Sequence, residues 1–526
     1  MAVQLGERDS GVRLAELVAA FSLAIDLGLG QPMEHVLRSW LIATRLAQRL
    51  GMAPEERGGL YYVVTLAWAG CVADTPALAA LVGDDIAYRA DTFGADIKDM
   101  PGLAFMLQHV GVGQPALHRL QLALNLVATG GKPVEEVIRS HCLVTGNMAD
   151  RIGLGGDVSG PLQQVFTRWD GKGVPKGVGG EAIALKTRLY HLADVVEVFH
   201  RTGGATAAVD VVRSRRGTQF DPAMADLFCA MASDVLKDPG TEDDWNAAIA
   251  SDPALQRCLT EAELDQTLEA IADFTDLRSP SRAGHSRNVA KLASQAGRHA
   301  GLPAAEVVAV GRAALLHDMG MHGISSSILD KAGPLSPSES ERMRMHPYYT
   351  ERMLARPPML ARLGAIASLT HERSDGSGYH RRLTAPAIPA TGRILAAACA
   401  FCAMTEPRSY RPALSAKQAT VELRADARKG KLDAAAVDAV LAAAGQSQGK
   451  RRTGPAGLTP REVEVLVLIA RGASNRQVAG ALNIAPKTAG TYIERIYSKT
   501  GASTRSTATL FAMQHGLLDT LEPLDL

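Results

Sequence analysis

His317 and Asp318 stand side by side where an apolar run ends in GRAALLHDMGMHG, which puts an imidazole and a carboxylate within one turn of helix. Such a pair can hold a divalent cation, although a complete shell must draw ligands from elsewhere in the chain. Three more histidines are candidates. His285 opens HSRNVAKLA, in which Val289, Leu292 and Ala293 make a helical stripe with the histidine at its start. His346 lies in MHP, and His371 begins HERSDGSGY, a turn relaxed by glycine.

The elements that position these residues read as helices. Stretches rich in Ala, Leu, Val and Arg recur with a period near four, glycine and proline clusters break them, and alternating strand patterns are almost absent, so the fold class is all-α. The 526 residues allow several domains, and 46% apolar with 21% charged residues is ordinary globular material. The net charge of +1 hides an asymmetry: from Lys450 onward ten Lys/Arg face six Asp/Glu. The longest apolar stretch, Val63 to Val82, is broken by Asp74 and Pro76, and charges crowd the first 16 residues, so neither a membrane span nor a signal peptide is expected. Six scattered cysteines without framework spacing suit a reducing cytoplasm.

The chain repeats itself. His35 to Ala67 and His285 to His317 are the same 32-residue step, and LAWAGC at Leu66 falls where LHDMGM falls at Leu316, an offset of 250. Further on, RWDGKGVP at Arg168 aligns with RSDGSGYH at Arg373, RLYHLAD ending at Asp194 with RILAAAC ending at Cys399, and His141 with His346, all at an offset of 205. A tandem duplication whose first copy carries about 45 extra residues accounts for both offsets. The expected domains are 1–236 with an insert near 74–120, a connector 237–255 with the acidic PGTEDD, a second copy 256–445, a basic linker 446–456, and 457–526.

These motifs resemble the HD-GYP branch of the HD-domain phosphohydrolases. The resemblance implies that His285, His317, Asp318, His346 and His371 are metal ligands, with Cys399 where the family has a late aspartate and Asp318 as the catalytic carboxylate. In that family two metals activate water for attack on a phosphodiester. Three positions depart from the pattern: Met321 replaces a lysine, Thr370 the first of two tandem histidines, and Cys399 the aspartate, while His380 replaces the proline of Gly-Tyr-Pro. Iron, zinc or manganese would suit the remaining ligands, a thiolate favouring zinc or ferrous iron. Cys399 and Cys402 also spell Cys-x-x-Cys, but without a βαβ setting they read as small buried residues. The first copy has Ala67 and Trp68 for His-Asp and Val165 and Phe166 for the paired histidines, keeping His35, His141 and Asp194, and so resembles a pseudo-enzyme.

From Gly457 the chain changes character. Thr459-Pro460-Arg461-Glu462 is a capping box with proline at the first helical position, and Ser474 to Gln477 repeats it. After a turn at Asn483 to Ala485, a third helix buries Ala489, Ile493 and Ile496 and faces Lys487, Thr488, Gly490, Thr491, Glu494, Arg495 and Lys499 outward. This stretch resembles a LuxR-type helix-turn-helix domain. The resemblance implies that Lys487, Thr488, Gly490, Thr491, Arg495 and Lys499 meet double-stranded DNA, with Lys450, Arg451 and Arg452 of the linker close to phosphates. Ala485 lacks the usual hydroxyl cap.

Two readings follow. The first is a cytoplasmic, homodimeric transcriptional regulator whose HD-GYP-like repeats sense a nucleotide or other small effector or pair subunits. The second is a metal-dependent phosphodiesterase for a cyclic dinucleotide, localised by its DNA-binding end.

Overall fold

In a computed structural model the described residues are 9–95, 99–112, 114–129, 132–237, 242–445 and 455–518. The chain divides into two compact units, Met1–Gln266 and Thr267–Leu526. Both are helical, and the only paired strands among the described residues are the short antiparallel Asp9–Arg13 and Cys258–Thr260. The fold is therefore all-α, as the periodicity requires.

The helices repeat at the spacing of the sequence motifs. Helices His35–Arg49 and Pro54–Leu66 of the first unit match His285–His299 and Ala304–Leu316 of the second, and Leu185–Arg215 starts 205 residues before Ala390–Thr405. Even the local devices recur. The residue before each histidine-led helix is left-handed, Glu34 and Gly284 both at φ 79°. A buried aspartate from the preceding helix then caps the new one: Val36 N donates to Asp26 at 3.1 Å, and Ser286 N to Asp276 at 2.9 Å. Burial pushes both carboxyls up to about 7, so each helix start rests on a desolvated acid.

The apolar run in the first unit becomes two helices, Pro54–Leu66 and Cys71–Val82. By length and composition this run passes for a membrane span, but 72% of its apolar window is buried inside the protein, as core helices are. The extra residues of the first copy form the helices Asp85–Thr92, Asp99–His109 and Ala116–Ala128, and Leu78, Val82, Tyr88, Met106, Val110 and Leu126 give them a small core of their own.

The connector expected at 237–255 contains a helix, Glu242–Ser251, which buries Trp245 and Ile249 one turn apart. The strand Cys258–Thr260 then pairs with Asp9–Arg13, and the division between the two compact units falls inside the helix Glu261–Asp276.

The C-terminal part holds four helices, Pro460–Ala470, Asn475–Leu482, Pro486–Thr500 and Arg505–Gln514. Both capping boxes form: Thr459 N donates to Glu462 at 2.7 Å and Ser474 N to Gln477 at 2.9 Å, with the reciprocal bonds at 3.3 Å. Asn483 supplies the left-handed turn at φ 54°. Lys450, Arg451 and Arg452 lie outside the described residues.

Candidate metal centre and nucleic-acid interface

Three buried helix ends and the interior of a fourth helix of the second unit bring its chemistry to one point. His317 closes the helix Ala304–Leu316, Asp318 follows it, His285 and His346 each open a helix, and Cys399 sits inside Ala390–Thr405. Gly320 allows this: a Cβ built there would overlap the backbone carbonyl of His346, so only glycine lets the two segments touch.

Three imidazoles are oriented in the same way. Each gives its Nδ1 to an acceptor facing away from the centre: His285 to Glu406 at 2.7 Å, His317 to the Ala314 carbonyl at 2.7 Å, and His346 to the Met343 carbonyl at 2.7 Å. These bonds fix the tautomer that leaves Nε2 as a lone pair pointing inward. Around Asp318 the inward nitrogens lie at 3.1 Å (His317), 3.7 Å (His346) and 3.8 Å (His285). Burial holds His285 near 4 and His346 near 3, and pulls His317 and His371 well below the ordinary imidazole value. All four rings are thus neutral, the form that ligates metal.

Two ligand groups share this centre. His285, His317 and Cys399 present their donor atoms within 4.8 Å of one another, and so do Asp318, His346 and His371. Cys399 Sγ lies 3.9 Å from His285 Nε2 and 3.8 Å from His317 Nε2. Asp318 Oδ1 and His346 Nε2 have no hydrogen-bond partner although both are buried, while Asp318 Oδ2 is met by Arg282. Desolvated lone pairs left open in this way are destabilising unless a cation meets them, so the donor set fits a divalent metal. Burial pushes the Cys399 thiol up to about 11, so a metal there would have to displace its proton.

The departures from the family pattern have visible consequences. Met321 packs with Ile324 and Ile328 in an apolar cluster. Thr370 donates its hydroxyl to the Ala367 carbonyl at 2.6 Å, turning its oxygen away from a ligand role. His371 stacks on Tyr379 with ring centroids 4.5 Å apart, so the Gly-Tyr turn positions it even with His380 in place of proline.

Three charged residues at the centre escape the sequence reading. Arg282 makes an ion pair with Asp318, and Arg408 donates to Glu406 at 3.0 Å, sharing that carboxylate with His285. Burial works against the Glu406 carboxylate, but the bond from His285 and the Arg408 guanidinium outweigh it and hold Glu406 far below the usual carboxylate range. Only adjacency could have flagged these residues: Arg282 lies three before His285, and Glu406 follows Cys399 by two helical turns.

The first unit answers the same positions differently. Trp68 Nε1 points at both oxygens of Asp194, at 3.2 and 3.3 Å, filling the place of a His-Asp carboxylate with an indole. His35 lies between Asp194 at 3.2 Å and Glu197 at 2.5 Å, and Arg38 adds a bond to Glu197 at 2.7 Å. Burial opposes a charge on His35, but the bonds to Asp194 and Glu197 win and lift it to about 10. A buried imidazolium stands there.

In the C-terminal helices, Ala489, Ile493 and Ile496 are buried as expected, while Lys487, Thr488, Thr491 and Arg495 are exposed on one face of Pro486–Thr500. Gly490 is half-buried and has no neighbour within 4 Å of a Cβ position. Ala485 makes no cap bond. Lys499 is exposed, yet its ammonium donates to Glu462 at 2.7 Å and to the Gly457 carbonyl at 3.1 Å. It ties the third helix to the first.

Comparison with known families decides the matter: residues 269–436 match the family described as HD domain, and residues 456–512 match bacterial regulatory proteins of the luxR family. The second half of the chain is an HD domain joined to a LuxR-family helix-turn-helix domain. The chain is similar to the 3'3'-cGAMP-specific phosphodiesterase 3 of Vibrio cholerae, 28% identical over 407 residues that span 76% of this chain and 88% of that protein. It is also 38% identical over 151 residues to a cyclic di-GMP phosphodiesterase of Thermotoga maritima, spanning 28% of this chain and 41% of that protein. A crystal structure of a cyclic GMP-AMP specific phosphodiesterase from Vibrio cholerae superposes with a TM-score of 0.59 at 25% identity, covering 82% of this chain and 98% of the other. The HD domain thus has phosphodiesterases among its relatives, and the residues that match the luxR family follow it in the chain.

Proposed function

We propose that this protein is a DNA-binding transcriptional regulator whose HD domain holds a divalent metal and reads a cyclic dinucleotide or related phosphate ester. The observation that carries the reading is the exposed face of Lys487, Thr488, Thr491 and Arg495 on the third helix of a LuxR-family domain. Thr488 and Thr491 suit base edges, and the two cations suit phosphates. With Lys499 engaged by Glu462, its share of the DNA contact is the smallest of the six assigned residues. The domain division proposed is 1–236, 256–445 and 457–526, with the two connectors between.

At the metal centre, His285, His317, Asp318 and Cys399 would hold one ion, and Asp318, His346 and His371 would serve a second. When bound, such ions supply Lewis-acid polarisation of a phosphate ester. The residues of this chain do the rest: Glu406 and the Ala314 and Met343 carbonyls orient the imidazoles, and Arg282 offers a guanidinium to an anionic ligand. The second ion has the poorer shell, because Thr370 gives no imidazole. This supports binding over fast hydrolysis.

The LuxR-family domain also rests on the turn that carries Arg282 and His285. A Cβ on Gly472 would lie 2.9 Å from Pro280 Cβ, and one on Gly284 3.0 Å from Leu518 Cβ. An anion drawn to Arg282 would therefore be felt at the DNA-binding domain, which is why regulation is preferred to localised hydrolysis. The test is a mobility shift on genomic duplex fragments with and without cyclic dinucleotide and divalent metal. A shift that responds to the nucleotide supports the reading; turnover of the nucleotide with no shift at low salt removes it.

A further inference from the structure

The first unit contains a second constellation that the duplicated pattern does not account for. Cys71 and Asp74 lie one turn apart at the start of the helix Cys71–Val82, and His141 faces them from the helix Lys132–Arg151. Their donor atoms fall within 4.8 Å of one another and all three residues are buried. By the 250-residue offset, Cys71 and Asp74 occupy the places of Met321 and Ile324, which in the HD domain are apolar core. Conversely, His141 faces the ring of Phe166 at 4.8 Å, where its counterpart His346 faces His371 at the same separation. The first copy has lost imidazole on one side of this histidine and gained thiol and carboxylate on the other.

His141 is prepared as a ligand. Its Nε2 donates to the Ala67 carbonyl at 2.8 Å, so Nδ1 is the nitrogen turned toward Asp74 Oδ2, 3.7 Å away. That Nδ1 has no hydrogen-bond partner, although His141 is fully buried, and neither has Asp74 Oδ1. Thr145, one turn beyond His141, is buried with its hydroxyl equally unpartnered. Arg89 does not fill the gap: it is tied to Asp85 at 3.0 Å, the Cys71 carbonyl at 2.8 Å and Thr75 at 3.1 Å, and stays 3.9 Å from Asp74 Oδ1. A thiolate and two carboxylates against Arg89 and one dication balance without net charge.

We propose that Cys71, Asp74 and His141 form a zinc site in the first unit, separate from the centre around Asp318. Sulfur, imidazole and carboxylate together select zinc over magnesium or calcium, and in tetrahedral zinc shells such donors sit about 3 to 4 Å apart, as Asp74 and His141 already do. On binding, the Cys71 thiol and the Nδ1 of a protonated His141 each give a proton to solvent and a lone pair to the metal; no oxidant or reductant is involved. With all three ligands buried, the site pins the helix Cys71–Val82 to Lys132–Arg151 and has a structural role. It stands or falls independently of the reading of the HD domain.

The experiment uses the full chain carrying Asp318→Asn and Cys399→Ser, so that the other centre contributes neither bridging carboxylate nor sulfur. After loading with zinc and exhaustive dialysis, about one zinc per chain is expected by elemental analysis, with a sulfur scatterer at about 2.3 Å in its X-ray absorption spectrum. Adding Cys71→Ser or His141→Ala should lower retained zinc at least tenfold, and cobalt substitution should lose its thiolate charge-transfer band with Cys71→Ser. No retained zinc in the Asp318→Asn, Cys399→Ser chain, or a nitrogen and oxygen shell without sulfur, overturns the proposal. The spectrum needs no Cys71 variant, so a variant that fails to fold does not obscure the answer. Zinc retained unchanged by folded Cys71→Ser chain also overturns it, and would leave a plain Asp74 to His141 ion pair in the pocket.

Discussion

His35 gives the sharpest test of the buried charge network that the first copy carries around Asp194. Its ring sits between Asp194 and Glu197, with Trp68 on the far side of Asp194, and is fully buried. Its folded value of about 10 exceeds the ordinary unfolded value of about 6.5, so protonation favours the fold. The stabilisation is fully present below about pH 6.5 and is lost as pH rises toward 10. At 1.36 kcal/mol per unit, the span corresponds to at most about 5 kcal/mol. Asp26 near 7 and Glu197 near 2 are both ionised before pH 8, so the interval from 8 to 10 belongs mainly to the histidines, with the buried Cys142 thiol, also pushed up, acting in the same direction. All four tryptophans, Trp40, Trp68, Trp169 and Trp245, are in the first unit, so urea unfolding of the full chain followed by tryptophan fluorescence reports that unit alone. The wild-type midpoint should fall across pH 8 to 10. His35→Gln should be about 3 to 5 kcal/mol less stable at pH 7 and show a flatter decline. His141, which is also pushed up, acts in the same direction when no metal is bound, and the variant isolates the His35 share. A flat wild-type profile, or an equal slope in His35→Gln, would refute the buried imidazolium.

Three further outcomes follow from named contacts. Arg282→Ala removes the guanidinium that shares Asp318, so zinc affinity at that centre should rise about ten- to a hundredfold in isothermal titration, with lower metal-free stability; unchanged affinity would mean Arg282 does not compete with the ion. Gly320→Ala forces a Cβ into the His346 carbonyl and should lower the thermal midpoint of the HD domain, losing about 1 to 3 kcal/mol or more; a neutral variant would show that the segments separate freely. Lys499→Ala should destabilise the helix-turn-helix domain by about 1 kcal/mol in chemical denaturation while changing the salt dependence of DNA binding little, because its charge is spent on Glu462.

Much of this architecture is legible in the sequence because the signals are local or periodic. The 250- and 205-residue offsets place helix starts that the structure repeats, and the Thr459 and Ser474 capping boxes mark two helix starts outright. The candidate ligands His285, His317, Asp318, His346, His371 and Cys399 converge because all but His371, which a turn places, sit at a helix end or on a helix fixed by the fold. What stayed hidden depends on partners distant in the chain. Arg282 and Glu406 join the centre through tertiary packing, and no spacing rule pairs an arginine with Asp318 36 residues later. Cys71 and Asp74 become visible only when His141, 67 residues further on, packs against them. Lys499 looks outward on the helix, yet Glu462, the very residue that closes the first capping box, captures its ammonium. The acidic PGTEDD pointed to a connector, and Trp245 and Ile249 carry enough apolar surface to fix a helix that already starts within it, at Glu242.

The central claim is that the LuxR-family domain makes this chain a DNA-binding regulator, and fluorescence anisotropy on genomic duplex fragments across a salt series tests it most directly. Wild-type chain should bind with a steep salt dependence, and Lys487→Ala with Arg495→Ala should reduce the slope of log K against log salt by about 0.9 for each lost contact while weakening binding. Binding that the double variant leaves untouched, or no binding at low salt from a chain that hydrolyses cyclic dinucleotides rapidly, would contradict it.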